Sequence, residues 1–130
     1  KTVLAKGEIV TGITVPPAAD NAGKAYIKHG RRKAMELSTV GVAVSLSMDD
    51  GVCSDIRIAL GAVGATVLRA PEAEAALNAG HDVAAIERAM HCAFDACCQI
   101  DDVRASAAYR RAMVGRITQR AIEGVLERLS

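Results

Sequence analysis

A β-hairpin near the middle of the chain is the strongest prediction from this sequence. Between residues 39 and 60, apolar residues alternate with small or polar ones on both sides of Asp50-Gly51. A repeat of two places one row of side chains on a buried face and the other row outside. Asp-Gly supplies the positive φ angles that a tight hairpin turn requires. The sequence therefore predicts two antiparallel strands, over residues 39–48 and 52–60.

A third strand is predicted near the start of the chain. Residues 7–15 alternate branched apolar side chains with small or polar ones, and Pro16-Pro17 ends the pattern because proline cannot donate to a sheet ladder. We expect residues 18–23 to form a loop, and the basic stretch 24–33 to connect it to the hairpin. The three strands would then form one antiparallel sheet.

After Ala70 the repeat of apolar residues changes from two to about 3.6, which predicts helices. Pro71 suits the first turn of one helix and Gly80 its end, while Asp82 and Ser106 are suitable N-caps for two more. The apolar face predicted for the second helix is Val83, Ile86, Met90, Ala93 or Phe94, and Cys97. The apolar face predicted for the third helix is Met113 or Val114, Ile117, Ala121, Val125 and Leu129. The order β-β-β-α-α-α predicts an α+β sandwich, in which a three-stranded antiparallel sheet carries three helices on one face.

Length and charge limit the function classes that fit this chain. Its 130 residues fit a single domain over residues 1–130. Sixteen basic and 15 acidic residues give a net charge of +1, so no strong global field would recruit nucleic acid or an acidic membrane. No apolar run reaches the ~18 residues that span a bilayer. Because the chain begins at Lys1 without a basic-then-apolar leader, we expect it to be a piece of a longer polypeptide.

The four cysteines do not have the spacing of a metal site. Cys92, Cys97 and Cys98 are predicted to lie on the second helix without a CxxC pair, and Cys53 is distant in sequence. We therefore expect reduced thiols that act as small hydrophobic residues, and a cytosolic location. The sequence also lacks GxSxG, P-loop, HExxH and GxGxxG patterns, so it predicts no self-sufficient active site.

The basic stretch 24–33 is the segment with the clearest chemical content. A charge run of this kind most often forms a solvated loop. Two features favour a ligand role. Tyr26 places a flat ring among cations, in a chain with two tyrosines and one phenylalanine, and loops at the end of a sheet often carry binding residues. His29, in the same stretch, is expected to face solvent.

Several blocks of sequence, spread over nearly the whole chain, match one known family in their order. They are Gly7-Glu8, Val15-Pro16, residues 24–37 (KAYIKHGRRKAMEL), 40–44 (VGVAV), 58–63 (IALGAV), 68–70 (LRA) and 100–110 (IDDVRASAAYR). In these blocks the chain resembles the C-terminal domain of molybdenum-hydroxylase flavoprotein subunits. That family includes carbon monoxide dehydrogenase and xanthine dehydrogenase.

The resemblance implies a medium subunit that holds FAD between a larger N-terminal domain, absent from this chain, and the present domain. Electrons would come from a molybdenum cofactor in one partner subunit and pass through [2Fe-2S] clusters in another. FAD would then deliver them to an external acceptor. The resemblance also implies that the N-terminal domain binds the FAD pyrophosphate, so the isolated chain is expected to be inactive.

The same resemblance assigns residues to the cofactor site. Tyr26 matches the family's tyrosine beside the isoalloxazine ring, Lys28 matches a nearby basic residue, and Leu37 matches an apolar position that contacts the cofactor. Ser54 stands where some members place a lysine near the flavin, and Val67 stands where the family often has proline. Structural or interface roles are expected for Arg31, Arg32, Arg104 and Tyr109, with Asp101 or Asp102 pairing either Arg104 or another basic side chain at the end of the sheet.

Two other readings of the sequence stay open beside the flavin hypothesis. The first is a non-catalytic interaction module that uses the alanine-rich helices or the sheet face to assemble a complex. The second is nucleic-acid binding through residues 24–33, which would give a salt-dependent affinity. The near-neutral net charge and the small number of aromatic residues disfavour the second reading.

Overall fold

The computed structural model describes residues 2–32, 35–98 and 101–130 and shows an α+β fold. The elements, in chain order, are β1 (Ala22–His29), β2 (Val40–Asp49), β3 (Val52–Gly61), β4 (Leu68–Arg69), α1 (Pro71–Asn78), α2 (Val83–Ala96) and α3 (Ala107–Leu129). The four strands form one antiparallel sheet in the order β1-β2-β3-β4. Lys33, which ends the predicted basic stretch, and Ile100, within the last matched sequence block, lie outside the described residues.

The predicted hairpin is confirmed. β2 and β3 pair with Val44 opposite Ile58 and Asp49 opposite Val52, and one register shift falls between Ser45 and Ser47. Both central residues of the turn have positive φ, 48° at Asp50 and 78° at Gly51. This is the conformation that matches the twist of the paired strands.

The predicted three-stranded sheet is wrong in its first strand and in the number of strands. Residues 7–15 form no strand, and every residue from 2 to 20 is exposed. The first strand is instead β1, which lies in the segment predicted to be a loop, and the short strand β4 is the fourth. β1 takes this place because it hydrogen-bonds to β2, and because its inward residues Gly23 and Ala25 are small enough to fit beneath a helix.

The helices cover one face of the sheet, as the sequence predicts. α3 packs on β1 and β2, α1 packs on β3, and α2 packs against both helices. The approach of α3 to β1 is close, since a Cβ atom on Gly23 would lie 2.6 Å from Cγ1 of Val125. The buried core combines the inward rows of the strands with small helix residues, including Val42, Val44, Leu46, Ile58, Leu60, Ala89, Ala93, Ile117, Ala121 and Ile122.

The helix ends follow the predicted caps. Asp82 accepts a hydrogen bond from the Ala85 amide at 2.8 Å, and Ser106 accepts one from the Tyr109 amide at 3.2 Å. The predicted face of α2 needs correction, because Val83 is exposed and Ala85 takes its place in the core. Cys97 and Cys98 follow the end of α2 at Ala96 and do not lie on the helix.

The two edges of the sheet are finished in different ways. Beyond the two-residue strand β4, Glu74 of α1 accepts hydrogen bonds from the Ile58 amide at 2.8 Å and from Arg69 at 2.8 Å. Burial raises the pKa of Glu74, but these hydrogen bonds outweigh it and hold the pKa below its ordinary value. The other edge, β1, carries exposed Lys24 and Lys28, which discourage pairing with another strand.

Candidate functional site

The face of the sheet that points away from the helices carries the predicted site. Along β1, Gly23, Ala25 and Ile27 point toward the core, whereas Lys24, Tyr26 and Lys28 are exposed. Side chains two residues apart share one face of a strand. The structure therefore brings Tyr26 and Lys28 together on the outer face, with Tyr26 65% exposed.

Small residues form the floor beside Tyr26. Ala43 of β2 lies directly opposite Tyr26, and Ala59 of β3 lies opposite Ala43. Gly41 lies beneath the Tyr26 side chain, since a Cβ atom there would lie 3.1 Å from the Tyr26 hydroxyl oxygen. The result is a shallow hollow of about 330 Å³ between Tyr26 and Arg57. A flat ring fits such a surface because no large side chain stands on the floor.

The rim of this hollow is positively charged. Arg57 pairs with Asp55 at 2.8 Å, so its charge is partly neutralised. Among residues 2–32, 35–98 and 101–130, the salt bridges do not include Lys24 or Lys28. Lys24, which lines the hollow, and Lys28, which lies outside its lining, are therefore both available to stabilise negative charge on a ligand.

Leu37 lies in a neighbouring hollow and does not line the one beside Tyr26. It belongs to the connection between β1 and β2 and is 70% exposed. Together with Met35 and Val103, which are almost fully exposed, it lines a hollow of about 580 Å³ rimmed by Arg31 and Arg32. Of the three predicted cofactor contacts, Tyr26 lines the hollow, Lys28 lies on the same strand face outside its lining, and Leu37 lines the other hollow.

Ser54 lies away from the candidate site. It pairs with Ser47 near the tip of the hairpin, and its hydroxyl donates a hydrogen bond to Asp49 at 3.3 Å. Tyr26, by contrast, lies level with Ala43 and Ala59. A side chain as short as serine does not extend from the hairpin tip to that level.

A buried cation, which the sequence reasoning missed, holds the end of the sheet beside the site. Arg110 of α3 is 1% exposed. Its guanidinium donates hydrogen bonds to the carbonyls of Thr39 at 2.5 Å and Ala62 at 2.8 Å, and to Asp102 at 2.6 Å. Its position in the sequence could have indicated this burial, because Arg110 lies four residues before Val114 and therefore on the apolar stripe of α3.

The partners left open for the two acidic residues are now resolved. Asp102 pairs with Arg104 at 2.9 Å and with Arg110, whereas Asp101 accepts a hydrogen bond from the Ala107 amide at 2.7 Å. The hydrogen bond from Arg104, supported by amides and by Arg110, holds the pKa of Asp102 well below its ordinary range.

The other residues expected to be structural can also be placed. Arg31 pairs with Glu36 at 3.0 Å. His29, expected to face solvent, is half-buried and lies 2.9 Å from the Tyr109 hydroxyl, which links β1 to α3. These contacts support structural roles for Arg31 and Tyr109, and His29 faces solvent only in part.

Comparison with known proteins identifies the family. Residues 25–125 match the family described as the CO dehydrogenase flavoprotein C-terminal domain. The chain belongs to this family. It is 33% identical over 128 residues to the carbon monoxide dehydrogenase medium chain of Hydrogenophaga pseudoflava, covering 98% of this chain and 44% of that protein. It is 30% identical over 124 residues to a putative xanthine dehydrogenase FAD-binding subunit of Escherichia coli, covering 94% of this chain and 42% of the relative.

A solved structure agrees with the family assignment. A carbon monoxide dehydrogenase structure from Hydrogenophaga pseudoflava, which lacks the Mo-pyranopterin moiety of its cofactor, matches with a TM-score of 0.84 and 38% identity, covering 89% of this chain and 40% of that chain. The chain therefore spans less than half the length of the curated relatives it matches. Within the described part of this family member, no helix is long and apolar enough to cross a membrane.

Proposed function

We propose that this chain is the C-terminal domain of the flavoprotein subunit of a molybdenum hydroxylase, and that its outer sheet face encloses the ring of FAD. The observation that carries the proposal is the exposed ring of Tyr26 beside a floor of Ala43 and Ala59. Aromatic rings stack on other flat rings, and a floor without large side chains leaves room for one. Family membership supports this use of the surface.

Each residue of the proposed site has a distinct task. Tyr26 would contact the flat face of the ring, and Lys28, two residues along the same strand face, would stabilise negative charge on it. Leu37 would make an apolar contact from the neighbouring hollow. When bound, FAD supplies the redox chemistry that passes electrons from molybdenum and [2Fe-2S] centres to an external acceptor.

The residues present fit the ring of FAD, and the rest of the cofactor needs another binding surface. The sequence has no glycine-rich phosphate loop, and the hollow beside Tyr26 is shallow. We therefore propose an N-terminal FAD-binding domain of the same subunit as the second wall of the site, with molybdenum-cofactor and iron–sulfur subunits as further partners. The isolated chain would then be inactive. A cytosolic location stays a prediction from the cysteine pattern.

The first experiment tests whether FAD is bound at all. The intact subunit is expressed, incubated with FAD, desalted and examined by visible absorption, and we expect a flavin spectrum. A colourless subunit would refute the flavin proposal. If that subunit still assembled with its partners, the result would favour the alternative, a non-catalytic interaction module.

The second experiment tests Tyr26 itself. Tyr26→Ala should change the flavin spectrum, its reduction potential or the FAD content, because the stacking ring is lost, whereas Tyr26→Phe keeps the ring and should change them less. Stability should stay within about 0.5 kcal/mol, since the side chain is mostly exposed. Unchanged spectrum, potential and FAD content in Tyr26→Ala would remove this residue from the site.

Lys28→Gln tests the proposed charge effect. Losing a screened cation near the ring, worth about 1 kcal/mol, should lower the two-electron reduction potential by about 20 mV. Arg120→Gln, which removes an exposed cation from α3 on the other side of the sheet, is the matched control and should leave the potential unchanged. A rise in potential in Lys28→Gln would contradict the assignment.

A further inference from the structure

Residues 9–15 have the pattern of a strand but no partner among the described residues. Ile9, Ile13 and Val15 lie on one side of the alternation and are 79%, 86% and 80% exposed. Branched apolar residues at every second position favour an extended conformation with one buried face. A row of this kind left in water indicates a surface that is covered in the complete protein.

Both ends of the segment are defined by local structure. At the start, the Glu8 amide donates to the Ala5 carbonyl at 3.2 Å, and Gly7 has a φ of +92°, which forms a tight turn. The Glu8 carboxylate accepts a hydrogen bond from the Ala5 amide at 2.7 Å and closes this turn. At the other end, Pro16-Pro17 stops any sheet ladder. The length between them, roughly 20–25 Å when extended, is typical of a strand.

The comparisons place this segment relative to the family match. The match to the family's C-terminal domain spans residues 25–125 of this chain. The match to the carbon monoxide dehydrogenase medium chain nevertheless covers 98% of this chain, and so extends through residues 9–15. The segment is therefore within the match to the longer subunit but outside the range that matches the C-terminal domain.

We propose that residues 9–15 form a strand in a β-sheet of the N-terminal part of the same subunit, with Ile9, Ile13 and Val15 facing the core of that sheet. The proposal rests on the proposed function only in placing this domain within a longer flavoprotein subunit. Main-chain hydrogen bonds to the neighbouring strand would fix the segment, and Pro16-Pro17 would lead the chain stiffly toward β1. The strand would thereby set the position of the outer sheet face relative to the rest of the subunit.

The free edge of β1 is the competing partner for this strand. A six-residue connection, residues 16–21, would allow the segment to fold back, but β1 presents two lysines along that edge. In the structure these residues are exposed and form no strand pairing among the described residues.

Hydrogen–deuterium exchange of the intact subunit tests the proposal. We expect the amides of residues 9–15 to exchange at least about tenfold more slowly than those of residues 18–20 in the same protein, since both segments are exposed here. Equal exchange rates would overturn the proposal. Protection that disappears on dilution would also overturn it, because it would indicate pairing between two copies.

Substitution of neighbouring residues tests which face is buried. Ile13→Asp should abolish the protection of residues 9–15 or the soluble yield of the subunit, whereas Thr14→Asp, on the opposite face, should preserve both. Equal tolerance of the two variants would overturn the assigned orientation, and exchange in the wild type decides the proposal if Ile13→Asp does not fold. Flavin absorption is a separate readout. A colourless subunit with protected amides in residues 9–15 would refute the flavin proposal but support the strand, and a yellow subunit without this protection would refute the strand.

Discussion

Replacing the buried Arg110 by methionine should destabilise the domain strongly, although the helix that carries it would keep its length. The guanidinium makes three hydrogen bonds, to the carbonyls of Thr39 and Ala62 and to Asp102, at 2.5, 2.8 and 2.6 Å. Bonds to a charged group contribute about 1.5–3 kcal/mol each, and desolvation of the cation offsets part of this sum. Breaking such a buried pair costs about 3–5 kcal/mol.

We expect Arg110→Met to lie at the lower end of this range, at about 3 kcal/mol. Asp102 keeps its hydrogen bond from Arg104, so its charge stays compensated, and the Nε of Arg110 has no partner among the described residues that could be lost. Even so, 3 kcal/mol is a large fraction of the roughly 5–15 kcal/mol that holds a domain folded.

Urea unfolding followed by circular dichroism measures this loss as a change in midpoint at constant slope. Arg116→Met is the matched control, because Arg116 lies on the exposed side of the same helix, and its effect should stay within about 0.5 kcal/mol. A loss below about 1 kcal/mol for Arg110→Met, with an unchanged slope, would refute the claim that this cation holds the sheet end to α3.

Asp102 gives the same network a dependence on pH. Its pKa is lowered from an ordinary value of 3.8, chiefly by the hydrogen bond from Arg104. A carboxylate whose pKa is lower when folded stabilises the fold above its unfolded pKa, and this contribution is lost as the pH falls through the folded pKa. Asp102→Asn should therefore be less stable than wild type at neutral pH, with a gap that narrows below about pH 4. A gap that is constant from neutral pH to pH 2 would contradict this.

Further predictions concern packing, reactivity and capping. Gly124→Ala should stabilise α3 by about 0.5–1 kcal/mol because the added Cβ would meet open space. Gly115→Ala should give no gain because its Cβ would lie 3.2 Å from Met90, and thermal unfolding of the two variants measures the difference. Cys98 should be alkylated before Cys97 in a timed iodoacetamide reaction read by mass spectrometry, since Cys98 is exposed and burial raises the pKa of the Cys97 thiol. Asp82→Ala should cost about 1 kcal/mol by losing the N-cap of α2, again measured by urea unfolding. Equal melting temperatures of the two glycine variants would contradict the first prediction, and equal alkylation rates of Cys97 and Cys98 the second. An unchanged urea midpoint in Asp82→Ala would contradict the third.

Local signals predicted the hairpin and the helix caps correctly because their partners lie close in sequence. Asp50-Gly51 determines its own turn, and Asp82 and Ser106 each bind an amide three residues away. Strand pairing needs more, because a strand pattern does not name its partner. The alternation over residues 7–15 predicts a strand of this sheet, but the structure forms no strand there.

The first strand was missed because its composition is unusual for a strand. In β1, Lys24, Tyr26 and Lys28 alternate with small or apolar residues, and a run of lysines most often predicts a solvated loop. Edge strands often carry lysine on their exposed face, and the repeat of two was present in the sequence. The position of Leu37 could not be predicted, since it depends on how an irregular connection crosses the end of the sheet.

Because side chains alternate along β1, β2 and β3, adjacent residues serve different purposes: one row packs in the core and the other forms the outer surface. Val42 and Val44 hold the sheet to the helices, and Ala43 between them forms the floor of the outer hollow. Substitutions on the outer face are thereby uncoupled from folding, so selection can adjust what this surface touches while the scaffold stays intact. Engineering of what this surface binds would therefore begin with the outward row.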